Sequence, residues 1–390
     1  MKPLSTSVSS LQRSGIRAVM DIAFQRPDVL RLEVGDPDFP TPSHITEAAA
    51  EAARAGFTHY TPSRGLPEVR EVMAEKLTRV NGIVTGPDDL VVAAGGGHAL
   101  FSVYRALADP GDVVLVPDPG WPNYRTIAGL CGLEVVGYPL SREEGFLPDL
   151  DVFDRLLSMT AGVKFVVLNS PSNPTGAVWP RSMIESVVEF CSARDVYVVA
   201  DECYEAIVFE DEHISPATFD DSGRTVSVFT VSKTYAMTGW RVGYVTGSKE
   251  VVEAVGKVVE NSVSCASAIS QKAAEAAIAG DQEPVERMVA EYRRRRDLAM
   301  AALEEAGLSA TVPGGAFYVM VGVPTENTVA FAMELVDAEG VTVAPGEAFG
   351  PAGTGMVRLS LASDPATITE GIRRLGRFVH GGGGVEEGAG

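Results

Sequence analysis

KFVVLNSPSNPTGAVWPRSMIESVVEFCSARDVYVVADE, residues 164–202, reads as strand, helix, strand. FVVL and VYVVA are short unbroken apolar runs rich in valine, the pattern of strands buried on both faces. Between them Met183, Ile184, Val187, Val188 and Cys191 recur at spacings of three and four, which predicts an amphipathic helix with one apolar stripe. Two buried strands joined through a helix make a parallel crossover unit. The same texture continues both ways, with DLVVAAG, DVVLVPD and LEVVGYP upstream and TVSVFTVS and RVGYVTG downstream. Residues 46–281 are therefore expected to form a large α/β domain built on a mainly parallel sheet.

Near residue 282 the texture changes to DQEPVERMVAEYRRRRDLAMAALEEAG, a long helix opened by Pro284 near its first turn and closed before Gly307. ATVPGGAFYVMVGV, VTVAPGEAF and MVRLSLA follow as strands among polar helices, so residues 282–380 read as a smaller α+β domain. The first 45 residues are expected to join it. HGGGGVEEGAG is too rich in glycine and too poor in apolar residues to order itself, and residues 381–390 are expected to be a flexible tail.

Charge narrows the classes of partner. Against 52 Asp and Glu stand 32 Lys and Arg, a net charge of −20 that repels a phosphate backbone and argues against nucleic acid. Four separated cysteines, Cys131, Cys191, Cys203 and Cys265, suggest neither a disulfide framework nor a thiolate zinc site, and a reducing cytoplasm is the expected setting. MKPLSTSVSSLQRSG has no apolar h-region, and no run of about 18 uncharged apolar residues occurs, so neither secretion nor membrane insertion is expected. The five histidines form no H-x-x-H or H-E-x-x-H cluster and G-x-S-x-G is absent, which argues against metal and serine-triad hydrolysis.

The chemistry concentrates where strands end. FTVSKTYAMTGWRVGYVTG brings Thr230, Ser232, Lys233 and Arg241 into twelve residues after a strand: two hydroxyls and a guanidinium for a phosphate, and an amine. A lysine attacks an aldehyde only as the neutral amine, so burial and a nearby cation that lower its pKa favour such a role. Lys233 differs from the chain's other six lysines in being surrounded by Ser, Thr, Gly and Trp rather than by an amphipathic charge pattern. Gly95, Gly96 and Gly97 lie between a strand and a helix, where bare amides and the helix dipole can hold a phosphate, or where the chain simply packs a close turn. Their spacing does not match a nicotinamide fingerprint.

Asp201 ends a buried strand with Tyr204 three residues on, and a carboxylate there can bind metal, cap a helix or pair with a cationic heterocycle. Asn169 and Asn173 flank a turn in which Ser170–Pro171 and Asn173–Pro174 can each be cis, fixing the Asn173 amide. Trp121, with Asn123 and Tyr124, offers either core packing or a face for a ligand ring. Arg358 inside the apolar run MVRLSLA must meet an anion, for which an α-carboxylate held bidentately is the natural choice.

Together these segments resemble the fold-type I pyridoxal 5'-phosphate (PLP) aminotransferases of class I and II, near the bacterial aspartate aminotransferase subgroup. The resemblance spans about residues 10–380 and rests on EVGDPDFPTP, HYTPSRGLPEVRE, GGGHAL, PGWPNY, NSPSNPTG, DECYE, SKTYAMTGWRVGY, GGAFY and VRLSLA in the family's order. It implies a seven-stranded sheet, and transfer of an amino group from an L-amino acid to a 2-oxo acid through a pyridoxamine phosphate form. It implies that Lys233 forms the Schiff base and moves the Cα proton, that Asp201 pairs with the pyridine nitrogen, and that Tyr204 and Asn173 hydrogen-bond the phenolic oxygen under Trp121. Gly96, Gly97, Thr230, Ser232, Arg241 and, from a second subunit, Tyr60 would hold the phosphate. Arg358 would bind the substrate α-carboxylate with Asn173 and the Gly35 backbone. Tyr60 in that role implies a homodimer with shared sites.

One departure bears on substrate. Acidic-substrate members of the subgroup commonly read GGK in the glycine loop, where this chain reads GGG, and Gly97 supplies no cation. Strict dicarboxylic specificity is therefore not expected, with neutral or aromatic donors and 2-oxoglutarate or pyruvate as acceptor. Elimination, cyclisation or oxidation on the same scaffold is the alternative. A PLP-sensing regulator is disfavoured by the acidic balance and the lack of a basic helix-turn-helix pattern.

Overall fold

The structure, a computed structural model, describes residues 2, 4–9, 11, 15–210 and 212–381, with only the backbone of Thr6. The expected tail lies, beyond Gly381, outside the described residues. The seven apolar runs form one seven-stranded sheet: β1 (Leu90–Ala93), β2 (Val113–Asp118), β3 (Glu134–Pro139), β4 (Val163–Asn169), β5 (Tyr197–Asp201), β6 (Thr225–Thr230) and β7 (Gly243–Thr246). Their order is β1-β7-β6-β5-β4-β2-β3. β3, β2, β4, β5 and β6 pair in parallel, whereas β7 is antiparallel to both β6 and β1. β7 is reversed because the chain between β6 and β7 turns back at one end of the sheet through the short helix Val231–Thr234 and the 3-10 turn Thr238–Trp240. A parallel return needs a crossover over a sheet face, which this connection does not make.

Alternate residues of the central strands feed two separate cores, which is why their sequences show no polar alternation. Val114 and Val116, Phe165 and Val167, and Val199 face the helices Gly96–Leu107 and Lys249–Val263. Val113 and Leu115, Val166 and Leu168, and Val198 face the helices Leu150–Met159 and Arg181–Ser192. In the latter helix Ile184, Val187, Val188 and Cys191 are buried as their spacing predicts, while Met183 is half-buried.

The C-terminal third follows the helix Glu283–Glu305 with a three-stranded antiparallel sheet of β8 (Tyr318–Gly322), β9 (Ala344–Pro345) and β10 (Met356–Ser360), in the order β9-β10-β8. The segment VTVAPGEAF is broken, with Val341–Thr342 pairing in parallel with Leu30–Arg31 rather than continuing into β9. The amide of Ser360 also donates to the Leu32 carbonyl at 2.8 Å, so the early chain is stitched into the C-terminal third.

Phe165 is fully buried, with its ring 4.6 Å from that of Tyr104. Phe165→Ala is expected to cost about 3–5 kcal/mol. Val84→Ala, at a side chain left 93% exposed, is expected to stay within about 0.5 kcal/mol. Denaturant unfolding of the two variants checks both values.

Candidate active site

β4, β5 and β6 end at a cavity of about 560 Å³ whose wall includes Asn169, Asp201, Thr230, Ser232, Lys233 and Arg241 from the large sheet. Tyr318 and Arg358 close it from the three-stranded sheet, Gly35 from the early chain, and Ile16, Arg17 and Met20 from the helix Gly15–Gln25. Of the residues to which the resemblance gives a site role, Tyr60 alone is not in the lining of this cavity. It is 87% exposed.

Strand register explains the first cluster. Thr230 and Ala93 are both paired with Gly243, so the ends of β6 and β1 converge on the start of β7. There Gly95, at φ +91°, turns the chain into the helix Gly96–Leu107, whose first amides have no side-chain cap. A Cβ on Gly95 would lie 2.4 Å from an Arg241 guanidinium nitrogen, and one on Gly243 would lie 2.9 Å from the Gly96 nitrogen. Glycine is thus required for the guanidinium and the amides to approach one spot. The Thr230 and Ser232 hydroxyls stand 2.8 Å apart beside them. Uncapped helix amides, two hydroxyls and a guanidinium form a donor set suited to a phosphate dianion.

The second cluster surrounds Asp201, in register with Asn169 on β4. The Tyr124 hydroxyl donates to Asp201 Oδ2 at 2.7 Å and the Cys203 amide to Oδ1 at 3.2 Å. Asn169 Nδ2 donates to the Asp201 carbonyl, and its Oδ1 accepts the Asn173 amide at 2.8 Å, which fixes the turn. Ser170–Pro171 and Asn173–Pro174 are both cis, as is Asp118–Pro119, which the sequence reading did not single out. Burial pushes Asp201 up to about 6, against the pull of the hydrogen bonds from Tyr124 and Cys203. It is a buried carboxylate with no cation in contact among the described residues, and a cationic group placed beside it would be held strongly.

Lys233 and Arg358 complete the site. Lys233 Nζ donates to the Gly35 carbonyl at 2.6 Å. Desolvation lowers its pKa against the pull of Cys203 and Asp36, with the Arg358 and Arg241 cations adding to the fall. Arg358 is 4% exposed and donates to Asn173 Oδ1 at 3.0 Å and to the Glu33 carbonyl at 2.6 Å. Among the described residues its Nε has no partner and no carboxylate pairs with it. Rings of Tyr318 and Phe349 lie 4.2 and 4.9 Å from the guanidinium carbon. A buried guanidinium so placed calls for a carboxylate ligand. Because Arg358 takes Asn173 Oδ1, it is the side-chain Nδ2 of Asn173 that this cavity-lining residue has left to donate. Trp121 lies over the glycine loop, with its ring 3.9 Å from where a Gly97 Cβ would stand.

Two functional contacts escaped the sequence reading. Tyr124 was named without a role, and its bond to Asp201 joins residues 77 apart in the chain. The Tyr318 hydroxyl lies 2.7 Å from that of Tyr204, across 114 residues. Neither pairing leaves a local signal, since spacing reports neighbours on one element and not partners across the fold.

The residues present fit PLP on chemical grounds: a carboxylate in want of a cation for the ring nitrogen, a donor cradle for the phosphate and a lysine biased to the neutral amine. Comparison with known proteins agrees. A family model described as aminotransferase class I and II matches residues 27–375. The aspartate/prephenate aminotransferase of Thermus thermophilus is 39% identical over 97% of this chain and 99% of its own length. An arginine–pyruvate transaminase of Pseudomonas aeruginosa is 38% identical over 90% of each chain. A solved structure of the Thermus thermophilus aspartate aminotransferase with maleate superposes with a TM-score of 0.91 at 39% identity, covering 97% of this chain and all of that one. The chain therefore belongs to the class I and II aminotransferases, enzymes that depend on pyridoxal 5'-phosphate.

Proposed function

We propose that this aminotransferase carries out its half-reactions with Lys233 as the proton carrier, Asp201 and Arg358 as the two fixed charges, and a partner subunit completing the phosphate site. The observation that carries this reading is that one cavity holds a buried carboxylate without a cation, a buried guanidinium without a carboxylate and a lysine held toward its neutral form. PLP supplies an electron-withdrawing ring conjugated to the carbon that takes the amino group, which makes the substrate Cα–H acidic. Lys233 would hold the cofactor's aldehyde carbon and, once displaced by the donor, carry the proton between the substrate Cα and that carbon. Asp201, fixed by Tyr124, would keep the ring nitrogen protonated. Tyr204 and the Asn173 amide would donate to the phenolic oxygen, with Trp121 stacked on the ring.

The Gly96 and Gly97 amides, Thr230, Ser232 and Arg241 would hold the phosphate together with Tyr60 of the partner subunit, and the exposure of Tyr60 in one chain supports that placement. Arg358 would take the substrate α-carboxylate with Asn173 and the Gly35 backbone. The domain division proposed is 1–45 with 282–380 against 46–281, supported by the pairing of Leu30–Arg31 with Val341–Thr342. A cytoplasmic homodimer working in amino-acid biosynthesis is the setting proposed. Among the described residues no helix is long and apolar enough to cross a membrane. The relatives named above are aminotransferases, so elimination, cyclisation or oxidation is not favoured.

For the donor, Ile16, Met20, Leu100 and Trp121 give the wall an apolar stretch, which suits neutral or aromatic side chains. Arg17, exposed on the same helix as Ile16, also lines the cavity and makes no hydrogen bond or ion pair among the described residues. It favours an acceptor with a second carboxylate, such as 2-oxoglutarate.

Lys233→Ala is expected to abolish the absorption band of lysine-linked cofactor and to cut turnover at least about 10³-fold; turnover at comparable rate would overturn the role given to Lys233. Because burial lowers the Lys233 pKa, cofactor uptake by the apoprotein should speed up as pH rises and level off below the pH at which an ordinary lysine deprotonates. Arg358→Ala should raise KM for every donor and acceptor alike. Arg17→Gln should raise KM for 2-oxoglutarate by about tenfold and leave pyruvate unchanged, which steady-state kinetics with the two acceptors resolves.

A further inference from the structure

Tyr204 and Tyr318 both line the cavity, and their hydroxyl oxygens lie 2.7 Å apart. Neither hydroxyl has another hydrogen-bond partner among the described residues. Two phenols carry two protons, and the contact between their oxygens uses one, so the pair holds one proton for an acceptor outside it. The surroundings indicate which hydroxyl gives that proton outward. A Cβ on Gly35 would lie 2.0 Å from the Tyr318 oxygen, so the backbone of the early chain is pressed against that hydroxyl. Tyr318 pairs with Ser360 and Met320 with Arg358, which sets Tyr318 and Arg358 diagonally across β8 and β10, with the guanidinium carbon 4.2 Å from the ring centre. Tyr204 reaches the same place from the end of β5, three residues beyond Asp201, with its ring edge-on to those of Phe317 and Tyr318. Burial raises both hydroxyls, but the Arg358 cation holds Tyr318 to about 12, whereas Tyr204 stays well above the ordinary phenol range. Tyr318 therefore has the more polarised O–H, and it is the better donor of the two.

We propose that Tyr318 is a positioning residue that acts through Tyr204: it donates its proton to the Tyr204 oxygen, which commits the Tyr204 proton to the phenolic oxygen of the cofactor and strengthens that bond. The proposal rests on the reading above in which Tyr204 donates to the phenolic oxygen. A phenolic oxygen that carries negative charge only accepts, so the one proton of Tyr204 cannot go to it and to Tyr318 at once. The 2.7 Å contact is then kept only if Tyr318 is its donor. A hydroxyl that accepts a hydrogen bond is itself the stronger donor, by about 10–30% per bond. Tyr318 thus need not touch the cofactor to bear on its charge. A side chain at position 35 would displace the Tyr318 oxygen from which the relay starts.

The test is a pH titration of the absorption spectrum of the holoenzyme, which reads the loss of a proton from the nitrogen that links Lys233 to the cofactor. A donor to the phenolic oxygen stabilises the negative charge left there when that proton leaves, so weakening the donor raises the titration midpoint. Tyr204→Phe is expected to raise the midpoint by about one unit and Tyr318→Phe by about 0.3 unit. Adding Tyr318→Phe to Tyr204→Phe is expected to move it no further, because the relay has lost its second member. A packing role for the Tyr318 hydroxyl predicts either no shift or the same shift in both backgrounds, and either result overturns the relay. If Tyr318→Phe does not take up the cofactor, 3-fluorotyrosine in place of Tyr318 decides. It keeps the hydroxyl and the ring over Arg358 while making the phenol more acidic, and should lower the midpoint; a midpoint that stays or rises sinks the idea. An unmoved midpoint in Tyr204→Phe refutes the place given to Tyr204 itself, and the relay falls with it, whereas a shift there with none in Tyr318→Phe refutes the relay alone.

Discussion

Asp201 ends a strand buried on both faces, and that burial sets the terms for the rest of the site. A sheet covered on both sides can offer chemistry only where its strands stop, because every residue before the end is committed to one of two cores. β4, β5 and β6 stop at Asn169, Asp201 and Thr230, and the cavity is the space beyond them. The carboxylate is desolvated by the same packing that fixes it. It is held by a tyrosine hydroxyl and an amide, neither of which supplies a positive charge. A cationic group of a ligand placed beyond the strand ends would supply the charge that these two donors do not.

Arg358 is the counterpart, a buried cation that pairs with no carboxylate among the described residues. The two charges belong to different sheets, so a ligand that meets both must span from one to the other. This explains why a protein with a net charge of −20 can still bind anions: the overall balance decides solubility and long-range repulsion, while a few desolvated cations decide the site. Glu33 illustrates the economy of the arrangement. Its carbonyl accepts from Arg358, while its carboxylate is turned away to Arg31 and Thr342. A carboxylate within the same residue is thus prevented from quenching the guanidinium.

The large sheet was legible because valine-rich runs without polar alternation have few other places to go, and all seven such runs became its strands. The reversal of β7 was not marked in its own residues. It follows from the short path between Thr230 and Gly243, a property of the connection rather than of the strand. Lys233, Arg241 and Arg358 were legible because a charged residue in an apolar or hydroxyl-rich setting conflicts with local preference, and such conflicts mark function. Tyr124, Tyr318, Ile16 and Arg17 raised no such conflict. An aromatic at a helix start or an arginine on a short amphipathic helix satisfies its local pattern, and only the fold shows that the satisfied position also faces the cavity.

The helix Gly15–Gln25 shows how one element serves both demands. Val19 and Ala23, one turn apart, are buried in the core shared by the C-terminal third. Ile16 and Met20, also one turn apart, lie on the adjoining face and line the cavity with Arg17. A Cβ on Gly15 would come within 2.9 Å of Val329 and 3.0 Å of Pro345, so the start of the helix is pressed against the helix Thr328–Glu339 and β9. The face that lines the cavity is therefore placed by contacts made outside it. Side chains at 16, 17 and 20 can change with little cost to packing, whereas 15, 19 and 23 cannot. On the roles proposed above, side chains at the mouth of the cavity can change the fit of a substrate while Asp201 and Arg358, fixed by burial, stay in place.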